Sequence, residues 1–381
     1  MIYLNNAATT LPKPKAVVRA MELAMKAIGE NPGRGSSKGV HKAERLIYET
    51  RLLTAKFFGA KDTAKVIFTP GCTYSINIAL RGFLKNGDHV ISTGRMHNAL
   101  ARTLYDKRLG VNLSTIEWDG KSPMTTETFK TKMTGNTRAI VVNHASNVDG
   151  LLFPLREIGM IARELGLTLI VDAAQTAGLV SIDMKRDNIG MLCVSGHKGL
   201  MGPSGLGILI LAPDIEIDPL ISGGTGSFSD EMEMPTSYPD RLEAGTPNII
   251  GIAGLNAGIS FLQKTGLQKI FEHERNLCNE AVKGIEKLPG VKIFRPKNAS
   301  RRMPLLSFTI KDNDPADIGN YLEESYGIAS RVGLHCAPHS HKEIGTYPLG
   351  LVRISPGYFN KKSEIKLLIK AVTEFIKEHK S

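Results

Sequence analysis

Two ionisable side chains in the middle of the chain stand at the ends of apolar runs of strand length. Lys198 follows the run 190–194, and Asp172 follows the run 169–171. Burial lowers the pKa of a lysine and frees the nucleophilic lone pair that Schiff-base chemistry needs. A carboxylate at the end of a second strand is suited to keep a pyridine nitrogen protonated, which pyridoxal phosphate requires as an electron sink. The pair therefore supplies the two groups that Schiff-base chemistry on pyridoxal phosphate would use.

A cysteine in the last fifth of the chain is the best candidate for a second reactive group. Cys336 lies in the segment SRVGLHCAP, where Arg331 and His335 are expected to favour its thiolate by electrostatics. The other three cysteines have separate contexts without CxxC spacing, so neither a disulfide framework nor a zinc ribbon is indicated. A zinc site at Cys336 and the nearby histidines is disfavoured because adjacent ligands are poorly spaced. We therefore expect no metal.

Arg353 is an arginine inside the apolar run 351–354. A buried guanidinium is costly without an anion, and a substrate α-carboxylate is a fitting partner for its fork of donors. A structural ion pair is the alternative. With Arg331, Arg353 is thus predicted to bind the substrate.

A turn that opens a helix is the candidate phosphate site. The segment TPGCTYSIN begins at Thr69, directly after an apolar run, and contains Cys72 and Thr73. Free amides at a helix start together with hydroxyl groups form an anion cradle. An ordinary N-capped turn is the alternative reading of the same residues.

Seven apolar runs between residues 65 and 211 alternate with amphipathic segments, which predicts an α/β fold with a mostly parallel seven-stranded sheet. Ligands of such sheets bind beyond the carboxyl ends of the strands, so Asp172, Asn147 and Lys198 should converge there. Beyond a long helical stretch at 251–288, three short strand patterns and a terminal helix predict a smaller α+β domain. We expect the large domain to span 15–255, and the small one to combine 256–381 with 1–14.

Composition narrows the class of protein. The 381 residues are 42% apolar and 22% charged, as in ordinary globular proteins. No apolar run reaches the length of a membrane span, and no signal segment opens the sequence, so we expect a cytoplasmic enzyme without a membrane partner. The formal charge of +11 is spread over the chain without aromatic interleaving, which argues against nucleic-acid binding.

The sequences of several segments resemble those of a known family. VDAAQ at 171–175 and SGHKGLMGPSGLG at 195–207 are similar to the fold-type I pyridoxal-phosphate enzymes of the class V aminotransferase family. The loop RVGLHCA at 331–337 resembles that of group II (Suf-type) cysteine desulfurases and selenocysteine lyases. Three positions depart from the usual pattern, namely Asn5, Met96 and Leu334, where relatives often have Asp, Glu and His.

The resemblance implies roles for individual residues. Lys198 would hold the cofactor, His97 would stack on its ring and relay protons, and Cys336 would accept sulfur as a persulfide. The implied cofactor contacts are Cys72, Thr73, His97, Asn147, Asp172, Gln175, Ser195, His197 and Lys198. Asn147 would contact substrate as well. Thr246, in EAGTPN at 243–248, would reach the cofactor phosphate of a second subunit, which implies a homodimer with shared active sites.

The activity implied is a pyridoxal-phosphate-dependent cysteine desulfurase, which converts L-cysteine to L-alanine and passes sulfur to an unidentified acceptor protein. A selenocysteine lyase is the nearest alternative. A C–S lyase or aminotransferase acting on another amino acid is more distant. A cofactor-free scaffold is disfavoured because it would need none of the reactive residues.

Overall fold

The computed structural model describes residues 1–27, 32–33, 35–227 and 229–379. Its strands are β1 (Ile2–Tyr3), β2 (Val66–Thr69), β3 (His89–Thr93), β4 (Asn112–Ile116), β5 (Thr137–Asn143), β6 (Thr168–Asp172), β7 (Met191–Ser195), β8 (Gly207–Leu211), β9 (Val291–Phe294), β10 (Leu306–Ile310), β11 (Ile328–Ala329), β12 (Arg331–Gly333) and β13 (Leu351–Ile354).

The helices alternate with strands in the first two thirds of the chain and cover the small sheet in the last third. They are α1 (Lys15–Ala27), α2 (Lys38–Phe58), α3 (Cys72–Phe83), α4 (Asn98–Leu104), α5 (Thr126–Lys130), α6 (Leu155–Glu164), α7 (Ile249–Thr265), α8 (Leu267–Ile285), α9 (Pro315–Tyr326), α10 (Pro338–Ile344) and α11 (Lys362–Glu378). No helix within the described residues is long and apolar enough to cross a membrane.

The large sheet confirms the predicted fold class. Within the described ranges its seven strands lie in the order β2-β8-β7-β6-β5-β3-β4. Only β8 runs against its neighbours, β2 and β7. The central strands β5, β6 and β7 are buried along most or all of their length, because helices pack on both faces. All seven apolar runs that predicted strands in this region are strands of this sheet.

The C-terminal part contains a second sheet, with the strand order β12-β13-β10-β9 among the described residues. The three short strands that the sequence predicts for this part of the chain are observed as β9, β10 and β13. The sequence missed β12, which has only three residues and no alternation of apolar and polar side chains. It also missed β1 and β11, a parallel pair that joins the N-terminal segment to the C-terminal part.

The long helical stretch after residue 250 is two helices separated by Gly266, which has a φ of +89°. Buried residues of α7, such as Ile252 and Ile259, pack in the core beneath the large sheet. Leu277 and Val282 of α8 pack in the core of the small sheet. The division of the chain at 255 and 256 stays a prediction, and α7 runs across it.

Candidate active site

A cavity of about 260 Å³ lies beyond the carboxyl ends of β5, β6 and β7, against the start of α3. The position follows from the topology, since parallel strands bring their carboxyl ends to one edge. Of the ten residues predicted to contact the cofactor, all but Thr246 line this cavity. Those nine are Cys72, Thr73, His97, Asn147, Asp172, Gln175, Ser195, His197 and Lys198.

Lys198 lies in a tight turn after β7. The turn is closed by hydrogen bonds from the Met201 amide to the Lys198 carbonyl and from the Gly202 amide to the Gly196 carbonyl, both 2.8 Å. Burial lowers the pKa of Lys198; Arg353 and Arg331 act in the same direction, and Asp172 opposes them. A lysine with a lowered pKa supplies more neutral amine at physiological pH, as a nucleophile or base requires.

Asp172 ends β6 and is 3% exposed. Its Oδ1 accepts hydrogen bonds from the Ala174 amide at 2.9 Å and from the Cys72 thiol at 3.6 Å. Burial and the neighbouring carboxylate raise the pKa of Cys72 well above its usual range, so this cysteine stays a thiol. The structure adds a side-chain contact that orients Asp172.

His97 is the N-cap residue of α4, and its Nδ1 accepts a hydrogen bond from the Ala99 amide at 3.1 Å. Because Nδ1 is an acceptor, the neutral ring carries its proton on Nε2. Burial is the largest cause of the lowered pKa of His97, which favours this neutral form. The ring is therefore held in one tautomer at the wall of the cavity.

Two buried polar atoms at the cavity have no hydrogen-bond partner within the described residues: Asn147 Oδ1 and His197 Nδ1. Buried polar atoms are almost always paired, so these point to a ligand or solvent in the cavity. Asn147 is otherwise held firmly, since its Nδ2 donates to the His335 carbonyl at 2.6 Å. Gln175 Nε2 donates to the Ala7 carbonyl at 3.1 Å, which leaves its side-chain oxygen for other donors.

The helix α3 begins at Cys72, directly at the cavity. Its first amides have no intrahelical acceptors, as at every helix start, and they carry partial positive charge. Gly207 of β8 permits this approach: a Cβ there would lie 2.4 Å from the Gly71 carbonyl carbon. The cradle predicted at Cys72 and Thr73 thus has the geometry of an anion site.

Thr246 does not line this cavity. It is exposed and lies on a larger neighbouring cavity of about 900 Å³. Pro70 and Tyr74 line both cavities, so the two adjoin at the start of α3.

Arg353 is 1% exposed, and its charge has no carboxylate partner among the described residues. NH1 donates to the Asn147 carbonyl at 2.7 Å and NH2 to Asn5 Oδ1 at 3.1 Å, whereas Nε has no partner. Burial and the neighbouring Arg331 lower its pKa. The alternative of a structural ion pair is therefore wrong, and the guanidinium retains capacity for an anion.

Cys336 is the one exposed cysteine, the other three being partly or fully buried. Arg331 NH2 donates a hydrogen bond to its Sγ at 3.6 Å. His335 does not contribute charge. It is 2% exposed, its Nε2 contacts the Arg331 carbonyl at 3.3 Å, and burial lowers its pKa to about 2. The expectation that His335 assists the thiolate by its charge is wrong, because a buried neutral imidazole has none.

Comparison with known proteins identifies the family of this chain. The family model for aminotransferase class-V matches residues 2–368. The chain belongs to the aminotransferase class-V family. It is 32% identical to a probable cysteine desulfurase of Methanothermobacter thermautotrophicus, over 98% of this chain and 94% of that protein. A probable cysteine desulfurase of Pyrococcus abyssi is also 32% identical, over 100% of this chain and 96% of the relative.

Among solved structures, cysteine desulfurases are likewise similar to this chain. A cysteine desulfurase from Thermococcus onnurineus superposes with a TM-score of 0.90 and 31% identity, over 99% of this chain and 95% of that one. A cysteine desulfurase from Escherichia coli gives a TM-score of 0.86 and 27% identity, over 99% and 94% of the two chains. The fold is that of fold-type I pyridoxal-phosphate enzymes.

Membership of this class V family implies pyridoxal phosphate, and the residues at the cavity fit it. The amine of Lys198, the carboxylate of Asp172 and the anion site at α3 match an aldehyde, a pyridine nitrogen and a phosphate. The unpaired Asn147 Oδ1 and His197 Nδ1 add polar groups that a bound molecule would satisfy.

Proposed function

We propose that this protein is a pyridoxal-phosphate-dependent cysteine desulfurase that transfers sulfur to Cys336. One observation carries the proposal: Arg331 contacts the exposed thiol of Cys336 and pairs directly with Arg353 across two strands. A single arginine therefore connects the nucleophile with the anion-binding guanidinium. The names of the relatives support the same substrate.

When bound, pyridoxal phosphate supplies an electron sink for the negative charge left by removal of an amino-acid Cα proton. Lys198 would hold the cofactor and, when displaced by substrate, carry the Cα proton on Nζ. Asp172 would keep a proton on the pyridine nitrogen, with Cys72 and the Ala174 amide fixing its orientation. His97 would face the ring as a neutral imidazole.

Arg353 would bind the substrate carboxylate through its guanidinium fork, and Asn147 would orient the bound molecule. Cys336 then attacks the substrate sulfur as a thiolate. The bond between the substrate's Cβ and its sulfur breaks, a sulfur–sulfur bond forms on Cys336, and a proton takes the place of sulfur at Cβ. The products are L-alanine and an enzyme persulfide, which a thiol acceptor or reductant discharges.

The test is the turnover of L-cysteine by purified holoenzyme, with alanine and sulfide measured in the presence of a reductant. We expect equal amounts of the two products, and Cys336→Ala should abolish both while cofactor binding remains. Cys278→Ala, a change at a buried cysteine of α8, is the matched control. Full turnover by Cys336→Ala would refute the persulfide role.

Selenocysteine lyase activity is the nearest second candidate. A selenol ionises more readily than a thiol, so selenocysteine needs less help from Cys336. A Cys336→Ala enzyme that keeps selenocysteine turnover while wild type prefers selenocysteine would favour this reading. Formation of pyruvate or another keto acid in place of alanine would instead indicate a C–S lyase or aminotransferase.

We propose further that the active unit is a homodimer in which Thr246 contacts the cofactor phosphate of the partner subunit. The support is that Thr246 is exposed and does not line the cavity that holds Lys198, but lies on the adjoining cavity, which shares Pro70 and Tyr74 with it. Exposed apolar side chains on α1, among them Val18 (58%) and Met25 (66%), offer surface to bury. Light scattering tests this, and a fully active monomer would refute it. Transfer of sulfur to an unidentified acceptor protein and a cytoplasmic location stay predictions.

A further inference from the structure

Arg95 joins two carboxylates from distant parts of the chain. It contacts Asp149, in the loop after β5, and its Nε donates to Glu343 Oε1 of α10 at 3.0 Å. The side chains of Arg95 and Asp149 are only 13% and 7% exposed, so water screens their attraction weakly. The backbone of Arg95 is also constrained: its φ is +65°, and its carbonyl accepts a hydrogen bond from Asn143 Nδ2 at 2.7 Å.

The elements that Arg95 joins are those that carry the reactive groups. Arg95 precedes His97 by two residues, and α10 begins two residues after Cys336. Two further contacts tie the Cys336 loop to the same side of the cavity. The Asn98 amide donates to the Cys336 carbonyl at 2.7 Å, and Asn147 Nδ2 donates to the His335 carbonyl at 2.6 Å.

We propose that Arg95 is a positioning residue: through Glu343 it fixes α10 and so holds the Cys336 thiol over the cavity in reach of the substrate sulfur. The inference extends the proposed desulfurase function. The backbone of His335 and Cys336 has positive φ, +52° and +56°, in residues that rarely adopt it. Such a conformation persists only when surrounding contacts impose it. The hydrogen bonds from Asn147 and Asn98 act on this backbone directly, and the ion pair of Arg95 with Glu343 acts on it through α10.

A general stabilising role is the competing explanation, and the chain contains a matched comparison. Arg301 NH2 pairs with Glu157 Oε1 of α6 at 2.9 Å, which also links the C-terminal part of the chain to the large sheet. That pair does not contact the Cys336 loop. Removing the Arg301–Glu157 pair should lower the stability of the protein by what an interdomain ion pair contributes, without moving the Cys336 thiol.

The experiment compares Glu343→Gln with Glu157→Gln in the holoenzyme. For Glu343→Gln we expect sulfide formation from L-cysteine to fall by about 10-fold or more in kcat, since misplacement of a nucleophile by 1 Å costs about that or more. Exchange of the L-alanine Cα proton with deuterated water, which needs Lys198 but not the thiol, should keep its wild-type rate. Glu157→Gln should leave both rates unchanged.

Arg95→Lys is a second test variant. A lysine keeps Asp149 paired but lacks the guanidinium fork that contacts two carboxylates. Arg95→Lys should show the same fall in the kcat of sulfide formation as Glu343→Gln. Because both changes break one ion pair, the double variant Arg95→Lys, Glu343→Gln should be no slower than either single variant. An equal loss of sulfide formation and proton exchange, or no loss of either, would overturn the proposal.

Hydrogen exchange separates this inference from the proposed function. In Glu343→Gln, amides of residues 334–344 should exchange faster than in wild type and in Glu157→Gln. If wild type makes no sulfide from cysteine, the desulfurase function fails, and this exchange alone decides the positioning role. Unchanged exchange in Glu343→Gln would overturn it.

Discussion

Arg331 and Arg353 lie directly opposite each other in the antiparallel pairing of β12 and β13. Directly opposed residues project on the same face, and like charges there are destabilising unless an anion lies between them. Neither arginine has a carboxylate partner within the described residues. A site that concentrates two guanidinium groups beside a thiol is suited to an anionic substrate whose sulfur that thiol attacks.

Arg353→Lys should weaken substrate binding far more than chemistry. The lysine retains charge but cannot donate to the Asn147 carbonyl, to Asn5 and to a carboxylate together. We expect a loss of about 2 kcal/mol in binding, or roughly a 30-fold higher KM for L-cysteine. Steady-state kinetics measure it, with Arg186→Lys at a remote ion pair as control. An unchanged KM would show that Arg353 does not bind the substrate.

Asn5→Asp should act on the same guanidinium of Arg353, with a smaller effect on KM than Arg353→Lys. The new carboxylate would replace the amide oxygen that accepts from Arg353 NH2 at 3.1 Å, and it would compete with the substrate carboxylate. We expect KM for L-cysteine to rise by about 2- to 5-fold, equivalent to roughly 0.5–1 kcal/mol. Asn298→Asp, at an exposed N-cap, is the control substitution. A lower KM in Asn5→Asp would show that the residue positions Arg353 rather than leaving its charge free.

Lys198→Ala should remove cofactor attachment and activity together. The neutral amine that burial favours at Lys198 has no substitute, because Lys198 is the one lysine among the described residues that line the cavity. Visible absorbance of the reconstituted protein and alanine formation report the two losses. Lys185→Ala, a change in the turn before β7, should alter neither. Retained visible absorbance in Lys198→Ala would contradict the assignment.

Glu274→Gln should stabilise the protein increasingly as the pH rises. Burial raises the pKa of Glu274 from 4.5 to about 8, against an opposing hydrogen bond from the Tyr358 amide. Between these values the folded state binds a proton that the unfolded state has lost, so wild-type stability falls as the pH rises. Glutamine removes this penalty, and we expect a gain of about 2–4 kcal/mol at about pH 8 and little at about pH 5.

Urea unfolding at the two pH values measures this gain. Glu280→Gln, on the same helix but less buried, is the control for loss of a carboxylate. Glu274 also lines a small cavity of about 40 Å³ together with Thr10 and Lys198, so turnover should be recorded in parallel. A gain that does not grow with pH would show that the carboxyl is ionised in the folded protein.

The sequence by itself determined the large sheet and the residues at its carboxyl edge. Apolar runs followed by Asp172 and Lys198 are local patterns, because strand formation and burial are encoded over a few neighbouring residues. Cys336 and Arg353 were identified in the same way, from a reactive or charged group in an unusual local context. The resemblance to class V enzymes added His97, Gln175 and the remaining cofactor contacts.

Only the tertiary structure decided which of these residues meet. The pairing of Arg331 with Arg353 depends on the register of β12, a strand too short to leave a pattern in the sequence. The contact of Cys72 with Asp172 joins residues 100 positions apart. The ion pairs of Arg95 and the exposure of Thr246 also depend on packing between distant segments. Such contacts are set by how whole elements pack together, which no local period of apolar and polar residues records.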